Sequence, residues 1–251
     1  MHVALIQYAA SLDPADNRAR LSELCPDDAD LVVFPEAFAR DFGQPGTSVA
    51  AFAEPLDGAF ATEVARVAAE RGTTIVAGMF ETSRDPLRPF NTLVVRGAVE
   101  TSYRKIHLYD SFGYRESDHL LPGLVDPVTF PLGDFTVGLL TCYDLRFPEL
   151  ARRLVERGAD VLVVPAAWVA GHRKVEHWQT LARARAIENT VYVVAVGQCG
   201  PRYTGHSAVI DPLGDVVVDT GPEAGVLRAL LEPGRVLAAR ETNPSLANRR
   251  L

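Results

Sequence analysis

Cysteine is scarce in this chain, and the few present lie apart: Cys25, Cys142 and Cys199 form no CxxC pair and are odd in number. A disulfide framework is therefore not expected, and the usage suits a reducing compartment. Positive charge is short as well. Against 32 Asp and Glu stand 25 Lys and Arg, a formal net charge of -7, and no run of three or more Lys/Arg occurs. With no cationic surplus to neutralise a phosphate backbone, nucleic acid is not an expected partner. Long apolar runs are missing too: nowhere do about eighteen apolar residues follow one another, as a bilayer-spanning helix requires. The opening MHVALIQYAA carries no cationic leader and no small-residue cleavage site. The expectation is a soluble, cytoplasmic protein without membrane contact. The six histidines are scattered without metal-ligand spacing, so no metal is expected.

What the chain does have is apolar residues, 47% of its 251, enough to bury a large core and to argue against disorder as an overall description. Short β-rich runs recur at residues 3–8, 31–34, 74–80, 91–96, 135–140, 161–164, 191–197 and 206–210. Between them lie stretches with helical spacing, at 59–71 closed by Gly72, 148–157 closed by Gly158, and 174–189. Near the end, residues 216–220 and 225–231 flank a Gly-Pro turn and follow DPLGD, a pattern that predicts hairpin-linked strands. The reading is mixed α/β with layered sheets. No low-complexity linker or fixed-period repeat divides the chain, so a single domain over residues 1–251 is expected.

Polar residues that interrupt apolar strands are the places to look for chemistry, because sites in open α/β folds gather beyond the carboxyl ends of strands. Three interruptions qualify. LVVF runs into Pro35-Glu36, the segment after Val99 into Tyr103-Arg104-Lys105, and FTVGLL into Thr141-Cys142-Tyr143-Asp144. Cys142 would sit on a tight strand-to-helix turn with free backbone N–H groups after it, a setting that suits a nucleophile, although a buried cysteine is as often a small hydrophobe. Glu36, at the end of an apolar run, would be desolvated and serve as a proton carrier. Lys105, followed by Ile106 and Leu108, can bury its stem and point its ammonium at developing negative charge. His107 is read as structural, and Cys199 as packing rather than pocket.

Taken together, FPEAF, YRKIHLYD and TCYDLRFPE resemble the nitrilase superfamily of carbon-nitrogen hydrolases, and the later segments HWQTLARARAIENTVYVVAVGQCG and GHSAVIDPLGDV resemble its ω-amidase and deaminated-glutathione amidase branch. The resemblance spans almost the whole chain. It implies a four-layer α-β-β-α sandwich, a Glu, Lys, Cys triad carried by Glu36, Lys105 and Cys142, and an auxiliary acid at Glu116 in YRESDHLLPG. It also implies amide hydrolysis through a thioester without a cofactor, with Lys105 and the N–H of Tyr143 holding the oxyanion, and assembly as a homodimer or higher even oligomer. For the substrate, a carboxylate-bearing small amide is expected, bound by Arg146 or by Arg173 and Lys174, though Arg146 can equally pair with Asp144 or Glu149 to brace the turn. The loop 168–176 departs from that branch, which leaves the substrate open. A nitrilase or N-carbamoyl amino acid hydrolase would use the same three residues, and a non-catalytic binding module of the same fold remains the other alternative.

Overall fold

The computed structural model describes residues 1–250. In chain order the strands are β1 (His2–Gln7), β2 (Leu31–Val33), β3 (Thr74–Glu81), β4 (Phe90–Arg96), β5 (Thr101–Arg104), β6 (Asp110–Ser111), β7 (Tyr114–Arg115), β8 (Thr129–Leu132), β9 (Phe135–Leu139), β10 (Val161–Ala166), β11 (Tyr192–Gly197), β12 (Ala208–Ile210), β13 (Val216–Asp219) and β14 (Gly225–Leu230). The helices are α1 (Pro14–Leu24), α2 (Ala59–Arg71), α3 (Pro148–Glu156), α4 (Lys174–Asn189) and α5 (Pro233–Thr242).

Strand β1 explains the layering. Successive side chains point to opposite faces, and here both faces are apolar: Val3 and Leu5 join one cluster, Ala4 and Ile6 another. The first cluster lies between two six-stranded sheets, in orders β14-β1-β2-β3-β4-β5 and β13-β12-β11-β10-β9-β8. The second packs the outer face of the first sheet against α1 and α2 through Leu21, Phe60, Val64 and Val67. On the far side, α3 and α4 cover the second sheet with Leu150, Leu154, Trp178 and Ala182. The result is the four-layer α-β-β-α sandwich. In each sheet three parallel strands, β1-β2-β3 and β9-β10-β11, are extended by antiparallel neighbours.

Helix ends follow the local chemistry. Asp13 accepts the N–H of Ala15 ahead of Pro14, and α2 stops where Gly72 takes a left-handed φ of 63°. One sequence expectation needs correcting. Strands β13 and β14 do not form a hairpin: the chain leaves the second sheet after β13, and β14 pairs antiparallel with β1 in the first. The Gly-Pro turn between them crosses from sheet to sheet. No helix among the described residues is long and apolar enough to cross a membrane.

Candidate active site

Glu36 lies just past the end of β2, where the chain keeps riding along β3: Phe34 donates to the Val76 carbonyl, Gly78 to Pro35, and Ala39 to Gly78. Ala37 turns through a positive φ of 54° to make this path. The carboxylate is 1% exposed and fully engaged. Its Oε1 accepts from Lys105 Nζ at 2.9 Å and Asn91 Nδ2 at 2.7 Å, and its Oε2 from the N–H of Ala167 at 2.6 Å. Gln198 Nε2 holds the Glu36 carbonyl at 2.8 Å, so the second sheet grips both ends of the residue.

Lys105 follows directly on β5, and its N–H donates to the Asn91 carbonyl. Its ammonium also reaches Glu116, at 3.1 Å from Oε1 and 2.9 Å from Oε2. Glu116 begins a one-turn 3-10 helix after the β6-β7 hairpin and accepts a further bond from the N–H of Tyr109. Lys105 and Glu116 are both 2% exposed. Burial opposes the charge on Lys105, but Glu116 and Glu36 together outweigh it and hold the amine well above its ordinary value. The Glu116 carboxyl is pushed up, chiefly by burial and further by Glu36, against the pull of Lys105.

Cys142 comes off β9 at a sharp elbow. Leu140 is still paired to the Val163 carbonyl, while Cys142 adopts a left-handed φ of 47° and opens a one-turn 3-10 helix, Cys142–Arg146, ahead of α3. A cysteine in that conformation is strained, and such strain collects at functional sites. The N–H of Tyr143 finds no acceptor among the described residues and is free for an anion. Burial, then the charge of Glu36, pushes the Cys142 thiol well above its usual value, so at neutral pH it is protonated and needs a base.

These groups line one side of a cavity of about 460 Å³. The rest of its wall is aromatic and cationic, with Tyr109, Phe112, Trp168, Arg146 and Lys174 prominent. Arg146 does not brace the elbow as one sequence reading had it: Asp144 is taken by Tyr103, His107 and Thr141, and among the described residues no carboxylate pairs with Arg146. Its guanidinium lies 4.8 Å over Trp168 and 3.5 Å from His177 Nδ1. Arg173 is not brought to the cavity. It is exposed and ion-paired with Glu176, and the next residue, Lys174, turns inward instead. Lys174 Nζ sits 3.0 Å from the Tyr109 hydroxyl and 3.8 Å from the Phe112 ring centre, with no carboxylate in reach among the described residues. Burial and the neighbouring Arg146 pull its amine below the ordinary value. Cys199 is buried away from the cavity lining.

Two site residues escaped the sequence reading. Asn91 donates to Glu36 and, at 3.4 Å, to Glu116; its signal was a lone amide inside an apolar strand. Asp144, 0% exposed, accepts four hydrogen bonds, and its only sequence trace was its place two residues after Cys142.

Comparison with known proteins agrees with this fold. The family model for carbon-nitrogen hydrolases matches residues 2–241. Hydrolase Rv0480c of Mycobacterium tuberculosis is 40% identical over 99% of this chain and 95% of its own. Deaminated glutathione amidase of Escherichia coli O157:H7 is 38% identical over 92% of this chain and 88% of its own. Among solved structures, XC1258 of Xanthomonas campestris, a CN-hydrolase superfamily protein with an arsenic adduct in its active site, superposes with a TM-score of 0.90 at 28% identity, covering 100% of this chain and 97% of that one. The chain thus belongs to the carbon-nitrogen hydrolase family of the nitrilase superfamily, and it is a hydrolase of carbon-nitrogen bonds of the amidase type.

Proposed function

We propose that this enzyme hydrolyses a small carboxylate-bearing ω-amide to acid and ammonia through a thioester on Cys142. Glu36 takes the thiol proton, and the sulfur attacks the amide carbon to give a tetrahedral oxyanion held by Lys105 and the N–H of Tyr143. Glu36 returns that proton to the nitrogen, the C–N bond breaks, and ammonia leaves. Water then gives a proton to Glu36 as its oxygen attacks the thioester. The C–S bond breaks, the acid departs, and the proton returns to sulfur. Glu116 keeps Lys105 in place throughout, and these steps call for water but for no cofactor.

The observation that carries the substrate class is the pair of cations, Arg146 and Lys174, on the cavity wall without a carboxylate partner among the described residues. Two like charges on one partly desolvated wall repel each other, an anion that joins them relieves that repulsion, and a substrate carboxylate is the fitting anion. The relatives named deaminated glutathione amidase agree with such a substrate. A single domain, a homodimer or higher even assembly, and a cytoplasmic setting complete the proposal. The test is ammonia release from succinamate, neutral aliphatic amides, nitriles and N-carbamoyl amino acids, with Cys142→Ala alongside. Turnover of the charged amide, absent in the variant, is expected; turnover confined to nitriles or carbamoyl compounds would overturn the substrate class.

A further inference from the structure

Lys105 and Cys142 must face the same substrate atom, yet they hang from different sheets. Lys105 follows β5, the edge strand of the first sheet; Cys142 follows β9 in the second. The surfaces between the sheets are apolar, and apolar contact fixes distance without fixing register. Asp144 bridges the two strand ends. One of its oxygens, Oδ2, accepts from the Tyr103 hydroxyl at 2.6 Å and from the N–H of Thr141 at 2.9 Å. The other, Oδ1, accepts from the N–H of His107 at 3.0 Å and from its Nδ1 at 2.7 Å. Tyr103 and His107 stand two residues before and after Lys105, and Thr141 directly precedes Cys142. The His107 ring also stacks on Phe147 of the elbow, centroids 3.8 Å apart and planes 9° from parallel. Buried carboxylates are kept only when fully bonded, and this one spends every bond on the two segments.

We propose that Asp144 is a positioning residue that sets Lys105 against Cys142, touching no reacting atom and acting only through Tyr103, His107 and Thr141. The proposal rests on the roles given above to Lys105 and Cys142. It separates two halves of the link: Tyr103 and His107 locate the lysine, and Thr141 fixes the turn that carries the sulfur.

The test uses Asp144→Asn, Tyr103→Phe, His107→Phe, which keeps the stack on Phe147, and the double variant of Asp144→Asn with Tyr103→Phe. In Asp144→Asn either amide orientation sets an NH₂ against existing donors. Each protein is read for kcat and KM, for thermal melting, and for the rate at which iodoacetamide alkylates Cys142. A misplacement of about 1 Å costs on the order of 100-fold in turnover. Asp144→Asn should therefore lose about that much in kcat with KM little changed, and its alkylation rate should change too. Tyr103→Phe and His107→Phe should lower kcat while changing the alkylation rate of Cys142 less than Asp144→Asn does. The double variant should be no worse than Asp144→Asn, because Tyr103 acts through the carboxylate. Wild-type kcat in the folded variants, or losses that multiply in the double variant, would overturn the proposal. Should Asp144→Asn fail to melt cooperatively, wild-type kcat in both Tyr103→Phe and His107→Phe overturns it instead. In a protein inert toward every amide the proposed function fails, and alkylation alone then decides: a changed rate in Asp144→Asn upholds the positioning role, an equal rate refutes it.

Discussion

Gly78 offers a sharp test of how Glu36 is held. It lies in β3 under the segment that carries the carboxylate, and a Cβ added there would stand 2.4 Å from the backbone nitrogen of Ala37 and 2.8 Å from Cα of Glu36. Ordinary contact begins at 3.4 Å, so the Glu36 segment must lift by about 1 Å, and backbone cannot swing aside as a side chain can. Overpacking of this kind costs about 1–3 kcal/mol, which for a chain of this size lowers Tm by about 2–12 °C. A shift of about 1 Å in the proton carrier costs on the order of 100-fold in kcat. Gly78→Ala should thus combine a modest loss of stability with a large loss of ammonia release. Leu21→Ala, a cavity in the α1 layer far from the site, should destabilise by about 2–5 kcal/mol yet keep its kcat below its own melting range. Wild-type kcat in Gly78→Ala, with Tm unchanged, would refute the claim that β3 sets the position of Glu36.

Other consequences follow from the same geometry. Arg146→Ala and Lys174→Ala should each lower kcat/KM for a carboxylate-bearing amide by about 10- to 100-fold, the worth of a hydrogen bond to a charged group, and leave neutral amides nearly untouched; equal losses on both substrates would sink the carboxylate reading. Arg173→Ala, whose side chain pairs with Glu176 at the surface, should leave both substrates unaffected. Glu36→Gln should abolish turnover while moving the alkylation of Cys142 to lower pH. Burial still disfavours the thiolate in that variant, but the opposing charge of Glu36 is gone. An alkylation profile displaced to higher pH would contradict that cause.

The three strand-end residues were legible in the sequence because buried parallel strands read as near-continuous apolar runs, so a polar residue at the end of one is conspicuous. Helices α2 and α4 were legible to the residue, α2 from its repeated apolar face and its closing glycine. Helix α1 was not, since it buries only Asn17 and Leu21 and shows no apolar stripe. The edge strands β5 and β8, the first half polar and the second carrying Pro131, lacked the same signal. Site residues were lost for a different reason. Asn91 meets Glu36 across 55 positions and Asp144 meets Tyr103 across 41, and no local pattern encodes such meetings. The choice between Arg173 and Lys174 turns on which of two adjacent residues faces inward at the start of α4, where Arg173 takes a left-handed φ of 57°.

Stability alone gives no reason to bury Glu36, Lys105 and Glu116 together. Each ion loses several kcal/mol of hydration, and a well-packed apolar set of the same volume is often as stable or more so, by about 1–4 kcal/mol. Removing one member is another matter. Lys105→Met would leave two buried carboxylates facing each other without their shared cation, at a cost of about 3–5 kcal/mol near neutral pH. The sign of the pH dependence is fixed by Glu116, whose carboxyl already lies above its ordinary value and would rise further without the lysine. A carboxyl raised in the folded state stabilises fully below its unfolded value, about 4.3 for glutamate, and that contribution fades as pH climbs through the folded value. The deficit of Lys105→Met relative to the wild type should therefore shrink on acidification from neutral pH toward 5, as Glu116 takes up a proton. Urea unfolding of both proteins across that range measures it. A deficit that stays constant, or widens toward acid, would mean that Lys105 does not hold Glu116 ionised, and that the cluster owes its place to packing rather than to charge.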